Sequence, residues 1–220
     1  MTGSGSAKLA IWNGIKRGQE RKFELWHSHL HLMQKREMGI LTSGARYVAD
    51  ADSGPAYFTL YESTAAETFG PAGYATPSPT PDLDRSVRED FIDFVRGVFV
   101  TEVAAGAGRA GWIATVSLAS ESTTTDRAAW SAAFAQLVGG KGIVAAELTT
   151  YDHATTTSFV LRLEPRPTLP ATPALLLLRG IDRRALAEAI EAFPTLLAEH
   201  ALAYRVASAQ IFMLQHEFQA

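Results

Sequence analysis

The hydrophobic positions of the chain predict a regular order of strands and helices. "KLAIWNGI" has the composition of a strand, and residues 16–38 show helical periodicity, because their apolar side chains recur every three or four positions: Phe23, Trp26, Leu30 and Met33. Gly39 is expected to end that helix. The strands "ILTSGARYVAD" and "PAYFTLYES", a short helix from about Thr64, the proline-rich loop "GPAGYATPSPTPDLD" and the strand "DFIDFVRGVFVTEV" follow. The predicted order is β-α-β-β-α-β.

The second half of the chain repeats this order. Its predicted elements are, in sequence, "GWIATVSLA", "DRAAWSAAFAQLVGG", "GIVAAELTTYD", "PALLLLRGI", "DRRALAEAIEAFPTLLAEH" and "YRVASAQIFMLQHEF". Aligning the halves places Trp26 near Trp130, which indicates a duplicated module. The predicted organisation is a flexible N-terminus (1–7), a first unit (8–103), the Gly- and Ala-rich linker "AAGAGRAG" (104–111) and a second unit (112–220).

A β-α-β-β-α-β module of this size predicts a ferredoxin-like unit, in which both helices cover one face of an antiparallel sheet. The other sheet face also carries large apolar side chains and must therefore be covered. We expect an α+β fold in which two tandem ferredoxin-like units pack their sheets face to face as an α+β barrel. The alternative is that each sheet pairs with a sheet of another chain, and a homo-oligomer is expected.

Composition and charge narrow the expected partners. The formal net charge is −3 and the basic residues are scattered, so no basic face is expected to bind nucleic acid. The absence of cysteine excludes disulfides, thiolate metal sites and a cysteine nucleophile. No apolar run approaches the roughly 20 residues that cross a bilayer, and the N-terminus lacks the apolar region of a signal peptide. A cytoplasmic protein without a membrane partner is the expectation.

Three of the six histidines alternate in "ELWHSHLHLMQKREMG". On a helix His27 and His31 share a face, while His29 points away. Such a pair is half of a metal site, but the glutamate of the HExxH pattern is missing and no carboxylate follows at a suitable pitch. We therefore predict no metal and no cofactor. Either a neutral imidazole serves as an acid, a base or an orienting group, or it is hydrogen-bonded to the backbone in a structural role.

Tyrosines and arginines form the second candidate set. Strand alternation places Tyr57, Thr59 and Tyr61 on one sheet face. If that face lines the barrel interior, phenols and guanidinium groups would bind a planar, oxygenated ligand in an apolar pocket. The alternative for the arginines is surface pairing with nearby carboxylates. The predicted ligand-binding residues are His27, Arg46, Tyr57, Tyr61, Tyr74 and Arg96.

Several stretches of the first half match known family patterns: "LWHSHLH", "MGILTSGARYVAD", "PAYFTLYESTAAETF", "GYATPSPTPDLDRSV" and "FVRGVF". Together they resemble the dimeric α+β barrel superfamily, with EthD-like and bacterial monooxygenase-type barrels as relatives. The resemblance covers residues 8–103 by motif and the second half by element order. Its recurring histidine, five residues after a tryptophan, corresponds to His31, which the resemblance implies as the catalytic residue.

The resulting functional prediction is a protein that binds a small aromatic or polyketide-like ligand. Cofactor-free oxygenation, cyclisation or isomerisation would depend on His31, and the loop "GYATPSPTP" would cover the ligand. A non-enzymatic structural or interaction barrel with a filled core is the alternative. A haem enzyme is a third reading by fold analogy, although the sequence offers no proximal histidine with a supporting carboxylate. Whether the chain is an enzyme stays open at this point.

Overall fold

The computed structural model describes residues 6–50, 54–74, 79–120, 125–160 and 167–219. The strands are β1 (Ala7–Ile15), β2 (Ser43–Ala49), β3 (Tyr57–Ser63), β4 (Phe91–Gly106), β5 (Trp112–Ser120), β6 (Ile143–Tyr151), β7 (Ala174–Gly180) and β8 (Tyr204–Gln219). The α-helices are α1 (Glu20–Trp26), α2 (Leu32–Glu37), α3 (Pro81–Arg88), α4 (Arg127–Leu137), α5 (His153–Val160) and α6 (Arg183–Glu199). A π-helical turn (His27–His31) joins α1 to α2, and a 3₁₀ turn (Ala66–Phe69) follows β3. No helix within the described ranges is long and apolar enough to cross a membrane.

The two sequence halves have the same strand topology. Strands of the first half are hydrogen-bonded in the order β4-β1-β3-β2, and those of the second in the equivalent order β8-β5-β7-β6. The full order, β1-β3-β2-β8-β5-β7-β6-β4, closes on itself as an α+β barrel. The antiparallel register pairs Leu9 with Tyr61 and Arg46 with Thr59. This confirms the predicted fold class of two tandem ferredoxin-like βαββαβ units.

The compact units of the structure are assembled from separate chain segments. The first comprises Met1–Phe99, Asp152–Pro170 and Gln215–Ala220, and the second comprises Val100–Tyr151 and Ala171–Leu214. Strands β4 and β8 therefore contribute residues to both units, and α5 belongs to the first. The sequence boundaries at 103 and 112 remain a prediction about the duplicated module; β4 itself continues to Gly106. Residues 1–5 of the expected flexible N-terminus lie outside the described residues.

In the first unit, one sheet face packs against the helices. Ile15, Phe23, Trp26, Tyr57 and Val87 form one buried cluster there. A second cluster has ten buried members, namely Ala7, Leu9, Leu32, Leu41, Tyr61, Phe69, Tyr74, Val98, Phe159 and Phe218. Burial of each large apolar side chain contributes about 1.5–3 kcal/mol, so these clusters hold the helices on the sheet.

The opposite face of the first unit's sheet carries a separate group of aromatic rings. The ring centroids of Trp12 and Phe58 are 5.1 Å apart, those of Trp12 and Phe99 are 6.4 Å apart, and those of Tyr47 and Phe58 are 5.9 Å apart. Such offset and edge-on contacts are favourable between aromatic side chains. This face is therefore occupied by packed rings.

The second unit has one continuous apolar core. Trp130 and Phe134 of α4 and Phe193 of α6 pack there against β5, β6 and β7, and all three side chains are fully buried. Every residue of β7 is buried, as its run of four leucines predicts. Asp126 and Asp182 cap α4 and α6 by accepting hydrogen bonds from the first backbone N–H groups.

Two expectations about helices were wrong. The helix expected from Thr64 is only the 3₁₀ turn, and the second helix of the first unit is α3, within the segment interpreted as a loop. Pro81 at its first position and Asp82 and Asp84 in its first turn are the signals that favour a helix start there. Helix α5 begins at His153, between two predicted strands of the second half where no helix was predicted.

Candidate functional site

The histidine-rich segment is a π-helical turn inside an otherwise α-helical stretch. The backbone remains helical at both junctions, with φ −58° and ψ −48° at Trp26 and φ −66° and ψ −37° at Leu32. Because π-helical hydrogen bonds span five residues, side chains five apart lie on one face. Trp26 and His31 accordingly stack, with ring centroids 4.5 Å apart and planes inclined by 26°. Single π turns occur often at functional sites.

The three histidines are placed as their spacing predicts. His27 is buried, His29 is exposed, and the rings of His27 and His31 are 5.6 Å apart. The Nε2 atom of His27 lies 3.4 Å from the Tyr61 hydroxyl and 3.5 Å from the Thr59 hydroxyl. The Nδ1 atoms of His27 and His31 are buried and have no hydrogen-bond partner in the part of the chain that the structure describes. Two imidazole nitrogens are thus open to a further partner.

Both imidazoles are held in the neutral form near pH 7. Burial lowers the pKa of His27 well below its usual value, and His31 and Arg46 lower it further. Burial also lowers the pKa of His31, and the charges of Lys35 and Arg88 act in the same direction. A neutral imidazole can accept a proton, which gives this pair the capacity to act as a base.

Arg46 lies on the helix-covered face, where its guanidinium donates to three protein acceptors. Its Nε donates to Gln215 Oε1 at 3.0 Å, Nη1 to the Glu24 carbonyl at 3.1 Å and Nη2 to Ser28 Oγ at 3.0 Å. The side chain is buried, so the surface-pair alternative is wrong. These contacts tie β2 to α1 at Glu24 and to the π-helical turn at Ser28, which makes Arg46 a positioning residue.

Tyr57 and Tyr61 also face the helices, and the expectation that they line the inner face of the sheet was wrong. Odd-numbered residues of β3 pack under α1 and α2, whereas Phe58 belongs to the aromatic group on the opposite face. The Tyr57 hydroxyl donates to Glu24 Oε1 at 3.1 Å. Burial and the Glu24 carboxylate raise the pKa of Tyr57. Burial and a hydrogen bond with Tyr74 raise the pKa of Tyr61, so both phenols remain protonated at neutral pH.

Tyr74 brings an unexpected lysine into the site. The Lys35 ammonium lies 3.9 Å from the centre of the Tyr74 ring and donates to the Tyr74 carbonyl at 3.3 Å. The Tyr74 and Tyr61 ring centroids are 6.0 Å apart. Burial lowers the pKa of Lys35 to about 8; Asp84 opposes this effect, and Arg96 and Arg88 reinforce it. The sequence could have identified Lys35 as a site residue by its position one helical turn after His31.

Arg96 is buried on β4, so its proposed surface pairing is also wrong. Its Nη2 donates to the Phe69 carbonyl at 3.3 Å. The guanidinium carbon lies 4.4 Å from the Phe159 ring centre and 5.7 Å from that of Tyr74. Phe159 is contributed by α5, and no signal in the first sequence repeat could have identified it.

Asp84 completes the cluster. Its Oδ1 accepts a hydrogen bond from the Trp26 indole at 2.8 Å and one from Thr80 at 3.4 Å. The carboxylate is buried at the start of α3, below the stack of Trp26 on His31. Residues 75–78 of the expected covering loop lie outside the described residues. The site therefore combines two neutral imidazoles, three protonated phenols, a buried ammonium and one engaged carboxylate.

The fold and this cluster define the class of molecule as a tandem ferredoxin-like α+β barrel with a buried polar site beneath the first helix of its first unit.

No family model matches the chain, and no curated protein matches it. Similar solved structures include a candidate monooxygenase from Fusobacterium nucleatum, at 9% identity and a TM-score of 0.60 over 100% of this chain and 96% of that one. An anthrone oxidase-like protein is 10% identical, with a TM-score of 0.56 over 98% and 93%. A haem-binding protein from Thermus thermophilus is 8% identical, with a TM-score of 0.58 over 96% and 92%. At such identities the likeness shows the fold alone.

The residues of this site do not fit an axially ligated haem. A haem-ligating histidine normally donates its second ring nitrogen to a carboxylate or carbonyl acceptor, which orients the ring. Within the described ranges neither His27 nor His31 has such a partner on Nδ1, and no group of three or more potential metal ligands is found. The His31 ring is also stacked against Trp26.

Proposed function

We propose that the chain binds a small hydroxylated aromatic or polyketide-like molecule beside the π-helical turn and acts on it without a cofactor. The observation that carries the proposal is the neutral His31 imidazole, whose Nδ1 lacks a partner within the described chain, next to buried phenols and an ammonium group. We place the protein with the EthD-like and monooxygenase-type barrels of the dimeric α+β barrel superfamily, as a cytoplasmic homo-oligomer, on the sequence motifs.

The proposed chemistry begins with proton transfer. His31 accepts a proton from a ligand O–H or an acidic C–H, and a delocalised ligand anion remains. The buried surroundings strengthen the attraction between this anion and nearby cations, because little water screens it. Isomerisation or cyclisation proceeds from this anion when His31 returns the proton to another atom of the ligand. Oxygenation proceeds when the anion instead transfers electrons to dissolved O2, which is the oxidant and the source of the added oxygen. Among the three, oxygenation is favoured by the similar fold of the candidate monooxygenase from Fusobacterium nucleatum and of the anthrone oxidase-like protein.

A thermal-shift screen with hydroxylated aromatic compounds tests the proposal. We expect at least one compound to raise the melting temperature of the wild type and of His29→Ala, and to have a much smaller effect on His31→Ala. His29 is a matched control because it is exposed on the same turn. Equal shifts for both variants, or no stabilising compound, would contradict the proposed role of His31.

A second candidate function is a non-enzymatic barrel with a filled interior. The packed rings on the far face of the first unit's sheet and the complete engagement of Arg46 by protein acceptors favour this reading. It predicts that saturation-transfer NMR detects no contact between the protein and any aromatic compound of the screen. Transfer to one compound that His31→Ala abolishes would decide for the enzyme.

A further inference from the structure

Two cations of the first unit lie close to one buried carboxylate. Lys35 is buried near Tyr74, and Arg88 of α3 acts on the same region. Among the described residues, Asp84 is the only buried carboxylate. Buried charges are normally paired, because removal of an ion from water is costly. Within the described ranges, Lys35 and Arg88 therefore outnumber the carboxylate beside them.

Asp84 does not neutralise Lys35 by direct contact. Its Oδ1 accepts hydrogen bonds from Trp26 and Thr80. The Lys35 ammonium has no carboxylate within 4.0 Å in the described ranges. Its contacts there are the Tyr74 carbonyl, the Tyr74 ring and the Met38 sulfur at 3.7 Å. None of them carries a full negative charge.

Arg88 provides a second donor without a partner. Its Nε is buried and makes no hydrogen bond to any described residue. The charges of Arg88 and Lys35 both act on His31, which places the three side chains in one electrostatic neighbourhood. His31 itself offers an unpartnered Nδ1. Lys35 lies against the Tyr74 ring, and His31 is stacked on Trp26.

We infer that Lys35 and Arg88 form an anion site that receives a negatively charged oxygen of an aromatic ligand. This inference rests on the proposed function and names its ligand class: an aromatic ring bearing an ionised oxygen substituent, either a phenolate or a carboxylate. The ammonium and the guanidinium supply charge-assisted hydrogen bonds to the oxygen. The Tyr61 and Tyr74 rings offer apolar faces to the ring.

The protonation of Lys35 supports this assignment. A pKa of about 8 keeps roughly nine tenths of the amine charged at pH 7. The neutral His31 does not add a third cation, so it can remain a hydrogen-bonding partner or a base. A bound anion would compensate the positive charge of Lys35 and Arg88, for which the described residues provide no carboxylate in direct contact with Lys35.

Calorimetric titrations with matched ligands at pH 7 test the inference. 2-Naphthoate is compared with 2-naphthamide, and 2,4-dinitrophenolate, which is fully ionised at pH 7, with 2,4-dinitroanisole, so that each pair differs mainly in charge and the two pairs separate carboxylates from phenolates. Of the two anions, we expect the one with the higher affinity to bind about tenfold more tightly than its own neutral analogue. Lys35→Met and Arg88→Gln should each remove most of this preference, and Lys35→Arg should retain it.

Arg36→Met and Arg85→Gln are the matched controls, because both residues are exposed neighbours on the same helices, α2 and α3. They should leave the preference unchanged. Equal affinity of wild type for anion and neutral analogue would overturn the anion site while leaving the proposed function intact. Failure of all four ligands to bind would also overturn the anion site, whereas the proposed function is tested separately by the thermal-shift screen. The wild-type comparison needs no variant and therefore does not depend on variant folding.

Discussion

Trp26 and Trp130 occupy matching positions in the two repeats, yet their indole N–H groups differ. Trp26 donates to Asp84 at 2.8 Å, whereas the buried Trp130 N–H has no partner among the described residues. The sequence places both side chains in predicted helices, and both are buried, with exposures of 5% and 0%. It could not predict the hydrogen bond, because Asp84 follows Trp26 by 58 positions.

Replacement of each tryptophan by phenylalanine should separate the contribution of the Trp26 hydrogen bond from that of packing. Trp26→Phe leaves a buried carboxylate without its main donor, and we expect its free energy of unfolding to fall by about 1–3 kcal/mol more than that of Trp130→Phe. Both variants lose similar apolar volume, so Trp130→Phe controls for packing. Urea denaturation measures the difference, and equal losses would show that the indole hydrogen bond contributes little.

His27 should make the protein sensitive to mild acid. Its pKa in the folded state is depressed, so below about pH 6.5 the unfolded chain binds a proton that the folded chain excludes. Stability is therefore present at pH 7 and is lost as the pH falls. Between pH 7 and 5, the free energy of unfolding of the wild type should fall by up to about 2 kcal/mol more than that of His27→Gln. His29→Gln, at an exposed position, should decline like the wild type; no difference between the two variants would contradict the account.

Lys35 should make the stability of the protein rise with pH in mild base. Its pKa is about 8 in the folded state against an ordinary value of 10.5, so between these values the unfolded chain binds more protons and stability rises with pH. Between pH 7 and 9.5 the wild type should gain about 2 kcal/mol relative to Lys35→Met. Lys16→Met, which replaces an exposed lysine, should follow the wild type. Parallel pH profiles for wild type and Lys35→Met would refute a buried, depressed lysine.

At the scale of elements, the first helix shows what periodicity can and cannot predict. Apolar spacing correctly predicted a helical stretch within residues 16–38 that ends near Gly39, which adopts φ +67°. The π-helical turn was not predicted, because it depends on tertiary contacts. Arg46 reaches from β2 to the Glu24 carbonyl and Ser28 hydroxyl beside this turn. The wider turn then sets Trp26 over His31.

Loss of Arg46 should therefore loosen this helix. Arg46→Met removes three donors from partly buried acceptors, and we expect a destabilisation of about 2–4 kcal/mol with faster amide exchange in residues 20–37. Arg184→Met is the comparison, since Arg184 makes an exposed pair with Glu188 and its loss should leave stability unchanged within error. Unaltered exchange in residues 20–37 of Arg46→Met would show that the π turn does not need this side chain.

At the scale of the molecule, the repeated strand order was accessible from the sequence because each module shows its own periodicity and turn residues. Two long-range contacts could not be predicted from the sequence. Helix α5 lies between β6 and β7, outside the duplicated pattern, yet its Phe159 packs in the first unit. Gln215, near the chain end, accepts from Arg46 of β2. Contacts between residues so distant in sequence leave no local pattern from which to predict them.

Side-chain NMR of the six histidines during titration with an aromatic ligand from the thermal-shift screen tests the central claim most directly. The imidazole resonances of His31 and His27 should move together and saturate with ligand, while those of His29, His153 and His200 stay in place. Saturable shifts confined to the other histidines, or none at all, would contradict a ligand site beside the π-helical turn.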